Sequence, residues 1–307
     1  MKFLENTKIN FMKFKSFGFG LSSVLAFGSI ILLLMGLNLG IDFKGGTAIG
    51  VSFTNDVSIQ EVRGSLKSVS FNNSIVDLSG EEIKYFGSQT DVMIKIKSLE
   101  NEPENFGQIV INHLYDSMSA KVPKDKNDFI LSLGSVSPKV GSELSGKALW
   151  SIVSALVLIL FYISVRFEFR FALGAILALV HDVIITLGIF SLTGFEITLS
   201  TVAAFLTIVG YSLNDTIVIL DRIRENMKSS GTLMFESTIN KSINQSLSRT
   251  LITSLTTLLV IIVLLVYGGE VIRPFSFTML VGVIVGTYSS IYIASALLAT
   301  IYQSSNK

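Results

Sequence analysis

Six long apolar runs, almost free of charge, leave this chain few folds to choose from. They cover roughly residues 17–39, 148–165, 171–193, 197–220, 251–267 and 275–302. Each is long enough to cross a hydrocarbon layer about 30 Å thick as a helix. Lipid offers no partner to backbone amides, so a single run can cross only as a helix that pairs its own N–H and C=O groups. Charged residues make up 15% of the 307, against the roughly 25% of soluble domains. The first run is longer than the roughly 7–15 apolar residues of a signal peptide and lacks a small-residue cleavage site. It reads as an uncleaved first span, after a basic segment at 1–16. A short tail, 303–307, follows the last.

Residues 40–147 differ in kind. They hold 14 Asp/Glu and 11 Lys/Arg, and their apolar runs are short. Residues 47–53 predict a strand. Residues 58–69 predict an amphipathic helix with Ile59, Val62, Leu66 and Val69 on one face. Residues 81–87 and 91–98 alternate as a hairpin pair, 105–118 have a helical period, and 128–137 predict a last strand. This β-α-β-β-α-β order is that of a ferredoxin-like module. The expected fold is therefore an α-helical polytopic membrane protein. It has six transmembrane helices and an inserted α+β domain between the first two, with spans two to six over 148–302.

Lys and Arg placement sets the orientation. With the N-terminus inside, the inner segments carry 12 Lys/Arg: Lys2, Lys8, Lys13, Lys15, Arg166, Arg170, Arg222, Arg224, Lys228, Lys241, Arg249 and Lys307. The outer loops and the flanks of the inserted domain carry four: Lys44, Lys139, Lys147 and Arg273. Both termini are thus expected in the cytoplasm and the domain outside it.

Polar residues inside the spans are few, and such residues are expensive in lipid. Span three has His181 and Asp182. Span four has Asn214 and Asp215, with Thr207, Tyr211 and Asp215 at helical spacing and Ser212 beside them. Span five begins near Arg249. At about 1.5 Å per residue, Asp215 lies ~10 Å outward from Arg222, and His181 and Asp182 fall near the midplane. An approach of Asp215 to Arg249 is geometrically open. Burial favours a neutral carboxyl and a nearby guanidinium favours an ionised one, so an aspartate whose arginine moves away and back can take up and release a proton. Asp215 also fits a helix–helix hydrogen-bonding role, and Arg249 an interfacial anchor. His181–Asp182 reads either as a relay or as structural polar contacts. Gly36/Gly40 and Gly282/Gly286 have the spacing of close helix packing. Arg222, Arg224 and Glu225 read as a solvated cap.

Several chemistries are excluded or disfavoured. No cysteine is present, which removes disulfides and thiolate sites. His181 and His113 are the two histidines, and neither opens a His-Glu-x-x-His motif. No phosphate-cradling Gly-rich loop appears, so the chain is expected to be no enzyme and to hydrolyse no nucleotide. No cofactor or metal is implied, and a net charge of +1 argues against nucleic acid.

Gly40–Thr47 (GIDFKGGT), Gly141–Leu149 (GSELSGKAL), Phe169–Thr186, Ile208–Asn226 (IVGYSLNDTIVILDRIREN) and Leu247–Leu259 (LSRTLITSLTTLL) occur here in order. In these motifs the chain resembles the SecD/SecF family of protein-export membrane subunits, related to the RND transporter superfamily. The resemblance implies half of a twelve-helix RND-type arrangement, completed by SecD. It further implies association with the SecYEG channel and translocating preproteins in the lipid of the bacterial inner membrane, with SecA an indirect partner. It implies use of the proton motive force, with the family's membrane aspartate at Asp215 and its arginine at Arg249. Gly45, Gly46 and Gly141 are candidate hinges for the outer domain, or simply turn glycines. Two other functions stay open: a stand-alone proton-coupled permease, which six spans would make only as a dimer, and a structural scaffold of the translocon.

Overall fold

A computed structural model describes residues 7–71, 74–99, 102–230 and 235–305. Lys2, Lys307 and the outer parts of the two end segments assigned from sequence lie outside the described residues. The chain divides into two compact units, Met1–Asn38 with Leu149–Lys307, and Leu39–Ala148. In chain order the elements open with a 3-10 turn at Phe11–Phe14 and α1 (Lys15–Met35). The second unit follows. It comprises α2 (Ile41–Lys44), β1 (Gly46–Ser52), α3 (Ile59–Ser65), β2 (Val69–Phe71), β3 (Ser74–Val76), β4 (Glu82–Phe86), β5 (Ser88–Lys97), α4 (Phe106–Ser117), α5 (Lys126–Phe129) and β6 (Ile130–Val136).

The second unit is an antiparallel sheet ordered β4-β5-β1-β6, with α3 and α4 supplying its core helices. Counting only those four strands, the order is 2-3-1-4, that of the ferredoxin-like module. Ile49 and Val51 on β1 and Val92, Ile94 and Ile96 on β5 are fully buried at alternate positions. Val62 and Leu66 on one side, and Phe106, Val110, Ile111 and Leu114 on the other, close the same core. The start of α3 is fixed by a capping box. Ser58 Oγ accepts from Glu61 N at 3.2 Å, and Glu61 Oε2 accepts from Ser58 N at 3.2 Å. The β2–β3 hairpin has no counterpart in the sequence reading, because three-residue strands are too short to show alternation.

The first unit carries the helices α6 (Pro138–Arg166, entering from the second unit), α7 (Phe169–Thr193), α8 (Leu199–Ser230), α9 (Phe235–Tyr267), α10 (Gly269–Ser289) and α11 (Ser295–Ser305). A π-turn, Ser290–Ala294, joins α10 to α11 within one span. Among the described residues, six helical stretches are long and apolar enough to cross a membrane. α7, α8 and the α10–α11 span form the inner layer. α1, α6 and α9 turn apolar side chains outward, among them Leu34, Trp150, Phe161 and Val260. Such an exposed apolar surface suits lipid and not water.

The helices differ from the apolar runs at their ends. α1 stops at Met35, where Gly36 takes φ 107, so Gly36 and Gly40 close no helix pair. α6 starts ten residues before its apolar run, and α8 and α9 continue as polar helices beyond theirs. There Asn226 donates to Ser242 Oγ and Gln245 Oε1, each at 2.8 Å. An apolar run records how much helix is in lipid, not how much helix there is.

Candidate functional site

α8 and α10 pack closely because glycine removes side chains from their seam. A Cβ on Gly286 would lie 3.0 Å from Ser212 Cβ, and one on Gly282 would lie 2.8 Å from Ile208 Cγ2. Along this seam sit two buried carboxylates.

Asp215, on α8, is 4% exposed. Its hydrogen-bond partner is Ser254 on α9, whose Oγ donates to Oδ2 at 3.3 Å. Ser254 Oγ is also 2.7 Å from Thr287 Oγ1 on α10, and Thr287 Oγ1 donates to the Val283 carbonyl at 2.7 Å. Arg249 lies exposed one and a half turns before Ser254 on α9. It is within electrostatic range of Asp215, but among the described residues no ion pair joins them. Asp215 therefore sits in an apolar seam with a neutral hydroxyl as its hydrogen-bond partner and a guanidinium nearby.

Asp182, on α7, is fully buried. Ser212 Oγ of α8 donates to its Oδ2 at 2.6 Å, and Ser289 Oγ of α10 to the same oxygen at 2.8 Å. His181 Nδ1 lies 2.9 Å from Oδ1. The sequence neighbours His181 and Asp182 are thus joined side chain to side chain, and Asp182 ties three helices together.

The remaining span-four residues do not converge on Asp215. Thr207 is exposed and donates to the Ala203 carbonyl at 2.8 Å. Asn214 is exposed. Tyr211 is half-buried, with a buried hydroxyl that no protein atom partners among the described residues. Ser254, Thr287 and Ser289 were not singled out from sequence. Their signal was hydroxyl residues recurring inside uncharged runs, which carries no indication of facing direction.

In the second unit, Gly45 and Gly46 take φ 80 and φ 143. A Cβ on Gly141 would stand 2.7 Å from the Phe43 carbonyl oxygen, and one on Gly45 would stand 2.8 Å from Pro138 Cα. Backbone approaches backbone here at distances only glycine allows.

Residues 117–304 match the family model described as protein export membrane protein SecD/SecF, C-terminal, and residues 30–57 match the SecD/SecF GG motif. The chain belongs to the SecD/SecF family. Within it, protein translocase subunit SecF of Rhodobacter capsulatus is 41% identical over 99% of this chain and 92% of that protein. The subunit of the same name from Calditerrivibrio nitroreducens is 43% identical, over 96% of each. The crystal structure of SecDF from Thermus thermophilus, described as a translocon-associated membrane protein, superposes with a TM-score of 0.82 at 37% identity. That match covers 99% of this chain and 40% of the longer SecDF chain. Membership in the SecD/SecF family gives this multi-pass membrane protein an accessory role in Sec protein export. The GG motif takes in Gly45 and Gly46, and the larger match takes in both carboxylates.

Proposed function

We propose that this chain is the proton-coupled half of a SecD-partnered complex, which uses the proton motive force to drive or complete export through the SecYEG channel. It sits in the bacterial inner membrane with both termini in the cytoplasm, has no nucleotide hydrolysis of its own, and relies on SecA for ATP. The observation that carries the reading is Asp215. It is a carboxylate buried in a membrane span, bonded to a neutral serine, with Arg249 near enough to act on its charge but not locked to it. A permanent Asp–Arg pair would hold the ionised form; this arrangement leaves the proton as an alternative counter-charge. Proton binding then alters the attraction between spans four and five, and the glycine seam at Gly45, Gly46 and Gly141 serves as the pivot of the outer domain.

Asp215→Asn tests this, because it keeps the volume and the bond to Ser254 but cannot take up a proton. With the complex present at its normal level, export of a reporter preprotein should fall towards that of cells lacking the subunit and lose its response to collapse of the proton gradient. Export that stays normal and still responds to the gradient would refute the assignment.

A further inference from the structure

We propose that His181 and Asp182 form a second proton-binding site, at which His181 Nε2 takes up the proton and Asp182 passes the change in charge to spans four and six. The proposal deepens the proton-coupled reading above, but it does not use Asp215 or Arg249.

Ser212 and Ser289 donate to one oxygen of Asp182, and His181 Nδ1 lies 2.9 Å from the other. With Asp182 ionised, Nδ1 carries the hydrogen of that third contact. Ser212 Oγ has no other acceptor among the described residues, so an ionised Asp182 satisfies all three donors at once. His181 is then the Nδ1–H tautomer, with its lone pair on Nε2. That nitrogen is buried, and no protein atom partners it among the described residues. His181 is 9% exposed, so the free lone pair lies inside the helix bundle.

The charge balance follows. Before uptake the cluster carries one negative charge, on Asp182, with neutral His181. A hydronium ion gives its proton to Nε2: one O–H bond breaks, an N–H bond forms, and a neutral water molecule is left. The cluster becomes an imidazolium–carboxylate pair with no net charge, which a low-dielectric seam accommodates better than a lone anion. The titratable and charged groups on the elements packed against α7 are Tyr211 and Asp215 within α8, with Asp221, Arg222, Arg224, Glu225 and Lys228 towards its C-terminal end, Arg273 near the start of α10 and Tyr288 near its end, Tyr292 in the π-turn, and Lys15 and Tyr302 near the ends of α1 and α11. None has a hydrogen bond to His181 among the described residues, so Asp182 is its direct counter-charge.

The consequence is mechanical. Asp182 stays a carboxylate, but the positive charge gained by His181 beside it offsets part of its pull on the Ser212 and Ser289 hydroxyls. Ser289 has an alternative acceptor, the Gly286 carbonyl at 3.1 Å. It is also the last residue of α10 before the π-turn, and such turns recur at functional sites. Ser212 stands three residues before Asp215. Proton uptake at His181 therefore loosens α7 from α8 and α10, which carry Asp215 and Thr287.

The chain has two histidines, so His113→Gln in the outer domain leaves His181 as the sole imidazole. Ring-nitrogen NMR on the full-length, 15N-histidine-labelled chain in lipid bilayers then reads the site directly, over roughly pH 5 to 8. The expected result is Nδ1–H with bare Nε2 at the high end and both nitrogens protonated at the low end. In Asp182→Asn, the strict Nδ1–H preference should be lost. A ring that keeps one protonation state throughout, or whose bare nitrogen is Nδ1, overturns the proposal, and both outcomes are read on the chain with Asp182 intact, whether or not Asp182→Asn folds. Because the readout is proton binding and not export, failure here leaves the Asp215 assignment standing, and the reverse also holds.

Discussion

Gly282→Ala is the smallest change that should separate α8 from α10. The added Cβ would lie 2.8 Å from Ile208 Cγ2 and closer still to Cγ1 and Cδ1, whereas carbon atoms in contact sit about 3.5–4.0 Å apart. Every branch of Ile208 is in the way, and a β-branched residue on a helix has essentially one χ1 rotamer. Ile208 is 1% exposed, packed with Ala204, Ile261, Met279 and Val283, and has nowhere to turn. The helices must yield by about 1 Å, at an over-packing cost of about 1–3 kcal/mol. For a chain of this size that is a fall of roughly 2–5 °C in melting midpoint. The same displacement would pull apart Ser212 on α8 and Ser289 on α10, which both donate to Asp182 Oδ2, now at 2.6 and 2.8 Å. Ile208→Ala alone should cost about 2–5 kcal/mol, but it removes the obstructing branches. The double variant should therefore be milder than the sum of the singles by about 1 kcal/mol or more. Thermal unfolding of the wild type, both singles and the double measures this, with Gly20→Ala as a control because a Cβ there meets nothing within 4 Å. Normal melting of Gly282→Ala, or strictly additive singles, would show that this contact does not set the helix spacing.

Other sites give independent checks. Ser254→Ala removes the hydroxyl linking Asp215 to Thr287; it should cost only about 1 kcal/mol of stability yet impair reporter export, while Ser254→Thr retains export. Equal export by the Ala and wild-type proteins would remove Ser254 from the coupling path. In the second unit, Ile94→Ala opens a cavity at a fully buried position of β5 and should lower that unit's stability by about 2–5 kcal/mol, measurable by hydrogen exchange. Glu61 is held below the usual carboxylate range, first by the hydrogen bond from Lys121 Nζ at 2.8 Å and then by the Ser58 amide. A lowered folded value means the unfolded chain binds the proton more readily. The contribution is therefore present above the ordinary value of 4.5 and lost as pH falls through the folded value. Lys121→Met should move the Glu61 titration, followed by carboxyl NMR, back up towards 4.5; an unmoved titration would exclude the lysine as the cause.

The sequence carried the architecture well because each signal was long or redundant. Six apolar runs can form only spanning helices, and the alternation of Val92, Ile94 and Ile96 against the period of Phe106, Val110 and Leu114 announces a sheet covered by helices. The site was half legible. A lone carboxylate in an apolar run stands out, so Asp215 and Asp182 were visible. Their partners were not, since a hydroxyl residue in a transmembrane run looks the same whether it bonds its own helix, as Thr207 does, or crosses to another, as Ser212 does. Adjacency in sequence left the contact between His181 and Asp182 undecided. Successive residues on a helix point about 100° apart, yet the reach of an imidazole lets His181 bend back onto Asp182. Arg249 illustrates the remaining gap: equal depth in the membrane brings two groups to one level without bringing them into contact.

The choice of hydroxyls as partners for both carboxylates has a physical logic. An arginine can only donate, and it favours one protonation state. A serine can donate to a carboxylate or accept from a carboxyl, provided its own hydrogen has somewhere else to go. On α10 that alternative is built in: Thr287 already donates to the Val283 carbonyl, and Ser289 lies 3.1 Å from the Gly286 carbonyl. Asp215 can then gain or lose charge by rotation of the Ser254 hydroxyl towards Thr287 Oγ1, so that hydroxyl keeps a partner in either state. The energies agree with this. A proton crossing about 150 mV releases roughly 3.5 kcal/mol, while exchanging one hydrogen-bond pattern for another costs about 1 kcal/mol per bond. Under the proposed coupling, one proton is enough to rearrange the two or three contacts that join α8 to its neighbours. The apolar packing of those helices, from Ile208 and Val283 outward, holds far more than that and keeps the motion a repacking instead of an opening of the bundle.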